Sequence, residues 1–280
     1  MRVLEVRRPA GGVLQAYDGG PTGRSDELAV FWHGGTPNTG APPEPLRADA
    51  AVLGIRLIGA DRPGYGGSTR DPEASIADVV PDVLAVADAL GVARFAVLGH
   101  SGGGPRVLAC AALAGPWVRA AVAVSSPAPP DAGGLDRFAG MAPGIVAEQR
   151  AAVAGRAPLL ELIERDEFDE RAFTEADRAA LAGPWSWFGP DVAAAVRNGP
   201  DAQADDLLAA ARPWGFDVGG VAAPVLVVHG ADDRMVPAAH GAWLAERLPA
   251  GELRSVPGAG HISVLDESTA LLRELRRRAG

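Results

Sequence analysis

The stretch V-L-G-H-S-G-G-G-P, residues 97–105, places Ser101 between glycines that lie two positions away on either side. A short, apolar, β-prone run precedes the serine at residues 94–98, and a helix-prone run follows it at residues 105–113. A strand, a tight turn and a helix around G-x-S-x-G are typical of a nucleophile elbow, which exposes the serine at the end of a sheet. The stretch therefore predicts a strand–turn–helix unit with Ser101 as a nucleophile.

The glycines around Ser101 have a steric reason. The backbone of an elbow serine is strained, so we expect Gly99 and Gly103 to keep Cβ atoms away from the crossing of strand and helix. The backbone N–H of Gly102, at the start of the helix, would face any oxyanion formed beside the serine. Gly102 is therefore the first candidate donor of an oxyanion hole.

Two later stretches supply partners for Ser101. An apolar, β-branched strand at residues 224–230 is followed by two adjacent aspartates, and residues 253–261 read as a strand, a glycine-rich loop and His261. Serine, acid and histidine is the chain order of one class of catalytic triad. His261 would take the Ser101 proton as general base, and an aspartate would orient the imidazole. The alternative interpretation is that Asp233 only caps a turn and His261 is a surface loop residue.

Strands and helices alternate around the elbow. Strands are predicted at residues 3–8, 13–18, 29–32, 56–59, 95–98, 120–124 and 224–230, the first two as a hairpin. A helix is predicted at residues 75–90, where apolar residues recur at helical spacing. This alternation predicts a mostly parallel sheet, with helices on both faces and a ligand site at the carboxyl ends of the strands. The motifs described above lie at such ends.

Residues 127–214 follow a different pattern. They contain no convincing strand, and helices are predicted at residues 144–153, 159–165, 174–181, 190–196 and 204–211. The strand–helix alternation resumes near residue 224. This pattern indicates a helical insertion at residues 127–214, with residues 1–126 and 215–280 forming an α/β core.

Four motifs together carry a resemblance to a known family. They are H-G-G-T-P at residues 33–37, D-R-P-G-Y-G-G-S at 61–68, G-H-S-G-G at 99–103 and G-A-D-D-R-M-V-P at 230–237. The chain resembles the α/β-hydrolase fold superfamily, and in particular its cap-bearing bacterial serine hydrolases, over nearly its whole length except the middle. In that family the acid stands three residues before the V-P pair, which implies Asp233 rather than Asp232. The histidine stands just before the last helix, which implies His261.

The resemblance also implies that residues 127–214 form a cap that roofs the nucleophile and selects the substrate. Large apolar side chains of this region would either line the substrate pocket or attach the cap to the core; they are Phe138, Met141, Trp185, Trp187, Phe188 and Trp214. Two acidic runs, residues 161–167 and the pair Asp205-Asp206, are expected to be solvated faces rather than binding features.

The resemblance places the second oxyanion donor in the loop after the third strand, just past an H-G dipeptide. The extra glycine of H-G-G-T-P leaves two alignments open. If Gly35 is the motif glycine, Thr36 donates its N–H, whereas if Gly34 is that glycine, Gly35 donates. Pro37 has no N–H to give. Thr36 is preferred, Gly35 is the second candidate, and an ordinary glycine-rich turn is the alternative.

The other histidines and glycines indicate no cofactor. We expect His100 to point away from the nucleophile and His33 to hold loop geometry. The sequence has no H-E-x-x-H, so no metal site is predicted. It has no phosphate-binding G-x-x-x-x-G-K, and the glycines of residues 64–67 do not open a dinucleotide-binding unit.

Composition narrows the class of protein. A chain of 280 residues can bury one large core, and its net charge of −9 and pI near 5.1 oppose nucleic-acid binding. The one cysteine, Cys110, excludes an intramolecular disulfide and is expected in the core. The first nine residues lack the apolar stretch typical of a signal peptide, and no apolar run reaches the ~20 residues that span a bilayer. We expect a cytoplasmic enzyme with no nucleic-acid or membrane partner, and the sequence assigns no oligomeric state.

The sequence thus predicts a reaction type and leaves the substrate open. A serine nucleophile attacks a carbonyl of a small molecule, an acyl-enzyme forms, and water releases the acid. Ser101 at the elbow counts against epoxide hydrolase and haloalkane dehalogenase chemistry, for which the family uses a carboxylate. Ester hydrolysis is the leading hypothesis. The alternatives are carbon–carbon or amide hydrolysis, including the aminopeptidase branch suggested by His33-Gly34-Gly35, and a ligand-binding protein on a hydrolase scaffold.

Overall fold

A mostly parallel, eight-stranded sheet runs through the computed structural model, which describes residues 1–165 and 169–280. The strands are β1 (Arg2–Arg7), β2 (Val13–Asp18), β3 (Leu28–His33), β4 (Ile55–Ala60), β5 (Phe95–His100), β6 (Val118–Val124), β7 (Val225–Gly230) and β8 (Gly251–Val256). Their order in the sheet is β1-β2-β4-β3-β5-β6-β7-β8. The β1–β2 and β2–β4 pairs are antiparallel, and the other pairs are parallel. The predicted hairpin and parallel sheet are confirmed.

Helices cover both faces of the sheet. They are α1 (Glu44–Val52), α2 (Val79–Ala89), α3 (Gly104–Leu113), α4 (Pro143–Ala154), α5 (Arg156–Glu164), α6 (Glu175–Ala182), α7 (Phe188–Ala195), α8 (Asp201–Ala210), α9 (Ala238–Arg247) and α10 (Ser268–Ala279). Helices α2, α3 and α9 pack on one face, and α1 and α10 pack on the other. Every residue of β3, β5 and β7 is therefore buried, which explains why these strands read as nearly continuous apolar runs.

Helix α2 begins four residues later than the apolar spacing predicts. The Asp78 carboxylate accepts hydrogen bonds from the backbone N–H and the hydroxyl of Ser75, both at 2.7 Å. Side-chain bonds of this kind compete with helical backbone bonds. The chain therefore turns at residues 75–78 and becomes helical at Val79.

Helices α4 to α8 all lie between β6 and β7, at each of the five stretches that the sequence predicts as helical. The described residues of this helical insertion contain no strand. Helices α4, α5 and α8 share an apolar cluster that consists of Ala152, Leu159, Ala204, Leu207 and Leu208. Trp185 and Phe188 join the core cluster beside α1 and α10, so the insertion also packs directly on the core.

The parallel strands bring several motifs to one edge of the sheet. His33 ends β3, His100 ends β5 and Gly230 ends β7. The residues that follow these strands therefore come from distant parts of the chain but lie at the same edge. Cys110 is fully buried in α3, as the sequence predicts. Among the described residues, no helix has both the length and the apolar character needed to cross a bilayer.

Candidate active site

Ser101 lies in a sharp turn between β5 and α3. The strand ends at His100, residues Ser101–Gly103 form one 3-10 turn, and α3 begins at Gly104. The φ angle of Ser101 is +54°, in the left-handed region that residues with a Cβ rarely adopt. Ser101 stays partly exposed although the first eight residues of α3 are buried. The turn therefore strains the serine backbone and leaves the residue accessible.

Two glycines make this turn sterically possible. A Cβ atom at Gly103 would lie 2.0 Å from the carbonyl oxygen of His33, and one at Gly99 would lie 2.7 Å from Cγ2 of Val107. Both separations are far inside van der Waals contact. Gly99 is therefore required where β5 crosses α3, as expected from the sequence, whereas Gly103 is required because the turn lies against the end of β3.

Asp233 and His261 follow β7 and β8 and meet at the same edge. His261 Nδ1 lies 2.8 Å from Asp233 Oδ2, and both residues are buried. An ionised carboxylate only accepts hydrogen bonds, so the proton of this bond belongs to Nδ1. The other ring nitrogen, Nε2, then keeps a free lone pair. This arrangement prepares His261 to act as a base.

The surroundings of Asp233 keep it ionised. Its Oδ1 accepts hydrogen bonds from the backbone N–H groups of Met235 and Val236, both at 2.9 Å. Burial raises the pKa of Asp233, but His261 and these hydrogen bonds outweigh it and bring the pKa below its ordinary value. The neighbouring Asp232 is exposed. Of the two adjacent aspartates, the geometry therefore pairs Asp233 with His261.

His261 reaches the elbow beside the residue that precedes Ser101. His100 Nε2 donates a hydrogen bond of 2.8 Å to the carbonyl oxygen of His261, and the two ring centroids are 4.8 Å apart. Burial, and then the neighbouring His261, lower the pKa of His100 to about 3, so its ring is neutral at physiological pH. Among the described residues the Ser101 hydroxyl makes no hydrogen bond to His261. Such contacts often form only when substrate is bound.

A carboxylate of the helical insertion holds the loop that carries His261. Asp177, in α6, accepts hydrogen bonds from the backbone N–H groups of His261, Ile262 and Ser263 at 3.2, 2.9 and 2.8 Å. Burial raises the pKa of Asp177, but these bonds lower it below its ordinary value. This role was not predicted from the sequence. The T-E-A-D stretch is visible as a capping box, which Thr174 and Asp177 do form, and that local role gives no sign of the distant one.

The loop after β3 lies against the elbow. A Cβ atom at Gly35 would lie 3.2 Å from Ser101 Cβ, and one at Gly102 would lie 3.4 Å from the backbone nitrogen of Thr36. Within the described residues, neither the Gly35 nor the Thr36 N–H donates to a backbone oxygen. The three candidate oxyanion donors are therefore close to the serine, and the geometry leaves both Thr36 and Gly35 available.

Two buried arginines lie behind the loop and the elbow. Arg62 and Arg106 both pair with Asp206, which comes from α8 of the insertion. Burial raises the pKa of Asp206, but the Arg106 and Arg62 guanidiniums bring it below its ordinary value. The expectation that Asp205 and Asp206 form a solvated face is therefore wrong, since they are only 6% and 7% exposed. Each pairs with arginines that lie far from it in the sequence.

The acidic run at residues 161–167 differs from the Asp205-Asp206 pair in its exposure to solvent. Glu161 and Glu164 are exposed, as expected for a solvated face. Asp166 and Glu167 lie outside the described residues.

The remaining histidines take structural positions. His33 is buried, and burial, then the charges of Arg62 and Arg106, lower its pKa to about 3. His229 Nε2 donates a hydrogen bond of 2.7 Å to the carbonyl oxygen of Val236, which supports the turn that carries the acid. In the described part of the chain, no group of three or more His, Cys, Asp and Glu side chains is arranged to hold a metal ion.

The large apolar residues of the insertion divide into two groups. Trp185, Phe188 and Trp214 are buried against the core clusters, and Trp185 Nε1 also donates a hydrogen bond of 3.0 Å to Asp266. These three attach the insertion to the core. Phe138, Met141 and Trp187 are partly exposed, and Trp187 also packs against the core cluster beside α1 and α10.

Comparison with known proteins gives one family and one curated relative. A family model described as alpha/beta hydrolase fold matches residues 29–268. A 2-hydroxymuconate semialdehyde hydrolase from Pseudomonas putida is 28% identical over 254 residues, which cover 88% of this chain and 84% of that protein.

Solved structures are similar over almost the whole chain. A thermophilic esterase from Thermogutta terrifontis superposes with a TM-score of 0.75 and 20% identity, covering 100% of this chain and 99% of that one. An enol-lactonase from Burkholderia xenovorans gives a TM-score of 0.72 and 18% identity, covering 98% and 99%. At these identities the similarity supports the fold.

Proposed function

Because the chain belongs to the α/β-hydrolase fold family, we propose that it is a serine hydrolase that cleaves a small ester-type substrate through an acyl-enzyme. The observation that carries the proposal is the buried Asp233–His261 pair, with its hydrogen bond of 2.8 Å, at the sheet edge where the strained Ser101 is partly exposed. A positive φ at a serine stores backbone strain, and such strain concentrates at functional sites. Ser101, His261 and Asp233 are the proposed triad.

In the first half-reaction Ser101 Oγ attacks the carbonyl carbon of the ester while His261 Nε2 takes the hydroxyl proton. Asp233 remains ionised and stabilises the imidazolium through Nδ1–H. The oxygen of the tetrahedral intermediate accepts hydrogen bonds from the N–H of Gly102 and from that of Thr36 or Gly35. The imidazolium then gives its proton to the leaving alcohol, and the acyl group stays on Ser101.

In the second half-reaction a water molecule replaces the alcohol. His261 Nε2 removes a proton from the water as its oxygen attacks the acyl carbon, and the same oxyanion donors stabilise the second intermediate. Collapse breaks the bond to Ser101 Oγ, which recovers its proton from His261. The carboxylic acid leaves, and the enzyme returns to its starting state.

We assign the helical insertion the role of a cap over this site. The support is positional: α6 holds the His261 loop through Asp177, and α8 reaches the oxyanion loop through Asp206. The partly exposed side chains Phe138, Met141 and Trp187 are the candidates for contact with the substrate.

Carbon–carbon hydrolysis with the same triad is the second candidate. The curated relative is named for 2-hydroxymuconate semialdehyde, a compound whose name describes no ester or amide group. Two structural neighbours are named as an esterase and an enol-lactonase, so carboxylester hydrolysis stays the first candidate reaction.

The test combines labelling with a substrate screen. A fluorophosphonate should label the wild-type protein covalently and should not label Ser101→Ala. A panel of p-nitrophenyl esters of increasing acyl length, together with one amide and one vinylogous 1,5-diketone, should show turnover that Ser101→Ala lacks. A protein that binds these compounds but is neither labelled nor active would be a ligand-binding protein on a hydrolase scaffold, contrary to the proposal.

A further inference from the structure

A cluster of buried charges joins the helical insertion to the core behind the candidate oxyanion hole. Asp206 Oδ2 accepts hydrogen bonds from Arg62 Nη2 at 2.8 Å and from the Thr36 hydroxyl. Its Oδ1 accepts from Arg62 Nε at 3.1 Å and from Arg106 Nη2. The phenol of Tyr65, which is fully buried, adds a contact of 3.3 Å. One carboxylate from α8 therefore meets two core arginines and the oxyanion loop.

The same arginines also bind backbone carbonyls next to the nucleophile. Arg62 Nη1 donates to the Gly34 carbonyl at 2.8 Å, and Arg62 Nη2 donates to the Gly35 carbonyl at 2.6 Å. Arg106 Nη1 donates to the Gly102 carbonyl at 2.5 Å. Arg62 is 8% exposed and Arg106 is 4% exposed, so bulk solvent has little access to these guanidiniums.

Because a peptide group is planar, a contact that fixes a carbonyl also fixes the direction of the N–H in the same peptide group. The carbonyl of Gly35 shares its plane with the N–H of Thr36, and the carbonyl of Gly34 shares its plane with the N–H of Gly35. A guanidinium that holds both carbonyls therefore sets the direction of both candidate oxyanion donors. A charge-assisted bond at the carbonyl also polarises the peptide, which strengthens the hydrogen bond its N–H gives.

We propose that Arg62 is a positioning residue for the oxyanion hole and that Asp206 makes its geometry depend on the helical insertion. Arg62 aims the Gly35 and Thr36 N–H groups, and Asp206 holds Arg62 and Thr36 in place. This inference rests on the proposed serine hydrolase function. It adds that the insertion supports the catalytic step itself, through α8, besides covering the substrate.

The expected effect falls on the chemical step. Removing one oxyanion donor costs about 10²- to 10³-fold in kcat, so a donor that is present but misaimed should cost roughly 10- to 100-fold. KM should change little, because the ground-state carbonyl depends less on these N–H groups than the oxyanion does.

The chain offers a matched control. Asp205 is the residue before Asp206 on α8, is equally buried, and pairs with Arg70 at 2.6 Å and with Arg156. It links the insertion to the core without touching the oxyanion loop. Asp205→Asn should therefore lower the Tm, because a buried carboxylate loses its charge opposite two arginines, yet leave kcat within about threefold of wild type.

The experiment compares Asp206→Asn and Arg62→Lys with Asp205→Asn, all assayed well below the lowest Tm of the set. We expect kcat to fall 10- to 100-fold in the first two variants only, with KM nearly unchanged. Affinity for a trifluoromethyl ketone, whose adduct carries an oxyanion, should fall by a similar factor. Arg62→Lys keeps the positive charge beside Asp206 but cannot hold both carbonyls, so it decides the question if Asp206→Asn does not fold.

The experiment distinguishes failure of the role of Arg62 and Asp206 from failure of the proposed serine hydrolase function. If Arg62→Lys and Asp206→Asn keep the kcat and the ketone affinity of Asp205→Asn, the pair is structural and the inference is wrong. If the wild-type protein hydrolyses no substrate and no fluorophosphonate labels Ser101, the proposed function fails and the inference fails with it.

Discussion

Replacement of Asp233 by asparagine tests the proposed triad at its acid. The side-chain oxygen of the introduced asparagine can still accept the Met235 and Val236 N–H groups, which Asp233 Oδ1 receives at 2.9 Å in the wild type. The amide NH₂ would then occupy the position of Oδ2, 2.8 Å from His261 Nδ1. Two N–H donors cannot face each other, so His261 would move its proton to Nε2. In that tautomer Nε2 cannot accept the Ser101 proton.

The size of the loss follows from the tautomer. We expect kcat/KM of Asp233→Asn to fall roughly 10²- to 10⁴-fold, as the wrong tautomer does in serine triads. With about 1.36 kcal/mol for each factor of ten, this is about 3 to 5 kcal/mol of transition-state stabilisation. The substituted side chain has nearly the same shape, so packing around the buried site should change little.

The assay is the initial rate of p-nitrophenyl ester hydrolysis, together with the rate of fluorophosphonate labelling of Ser101. Asp232→Asn is the matched control, because Asp232 is exposed and its substitution should leave both rates within about twofold. If the Asp232 variant lost more activity than the Asp233 variant, the acid would be the neighbouring residue. If neither variant lost activity, the buried pair would not take part in catalysis.

Three further predictions use other parts of the structure. Ser101→Ala should lower the rate on the order of 10⁴- to 10⁶-fold while the Tm changes little, because the side chain lies outside the core; residual activity above about one part in a thousand would contradict it. Gly103→Ala should lower the free energy of unfolding, measured by urea titration, by about 1 to 3 kcal/mol, because its Cβ would lie 2.0 Å from the His33 carbonyl oxygen. Gly133→Ala is the control and should leave this free energy unchanged, because Gly133 has open space around it. Burial raises the pKa of Glu148 from 4.5 to about 7, so the folded protein holds this proton more tightly and loses stability as the pH rises through that window. The Tm of Glu148→Gln minus that of the wild type should therefore rise between about pH 4.5 and pH 7 and stay at the higher value above pH 7. A Tm difference that does not change with pH would contradict the raised pKa of Glu148.

The elbow and the strands around it were predictable because each depends on local rules. Gly99 is required because a Cβ there would clash with Val107 of the following helix, and the apolar runs of β5 and β7 are long enough to identify buried parallel strands. The pairing of Asp233 with His261 followed from chain order, from the family resemblance and from strand ends, which the parallel sheet brings to one edge. The start of α2 was missed because one carboxylate, Asp78, competes with the helix for the preceding backbone.

The role of Asp206 could not be derived from such rules. A buried aspartate and an exposed one look alike in a sequence, and the stretch D-A-Q-A-D-D-L-L at residues 201–208 has apolar residues on several sides of its helix. Its partner Arg62 stands 144 residues away along the chain. Only the packed structure shows that the two side chains meet. Arg62 belongs to the D-R-P-G-Y-G-G-S motif at residues 61–68, which marks it as a residue of interest. The motif does not indicate that Arg62 pairs with Asp206.

Three helices of the insertion each place a buried carboxylate against core loops at the carboxyl edge of the sheet. Asp177 accepts the N–H groups of the His261 loop, Asp191 accepts the Asn38 amide at 2.8 Å and the Thr39 N–H at 3.2 Å, and Asp206 binds Arg62 behind the oxyanion loop. Loops at the carboxyl edge of a sheet expose backbone N–H groups that the strands do not pair, and burial makes each unpaired group costly. Helices α6 and α7 supply acceptors for such N–H groups, whereas Asp206 of α8 accepts from the Arg62 guanidinium and the Thr36 hydroxyl. In the proposed role of a cap, the insertion would shield these loops from water, and the same burial requires it to provide partners for their polar groups.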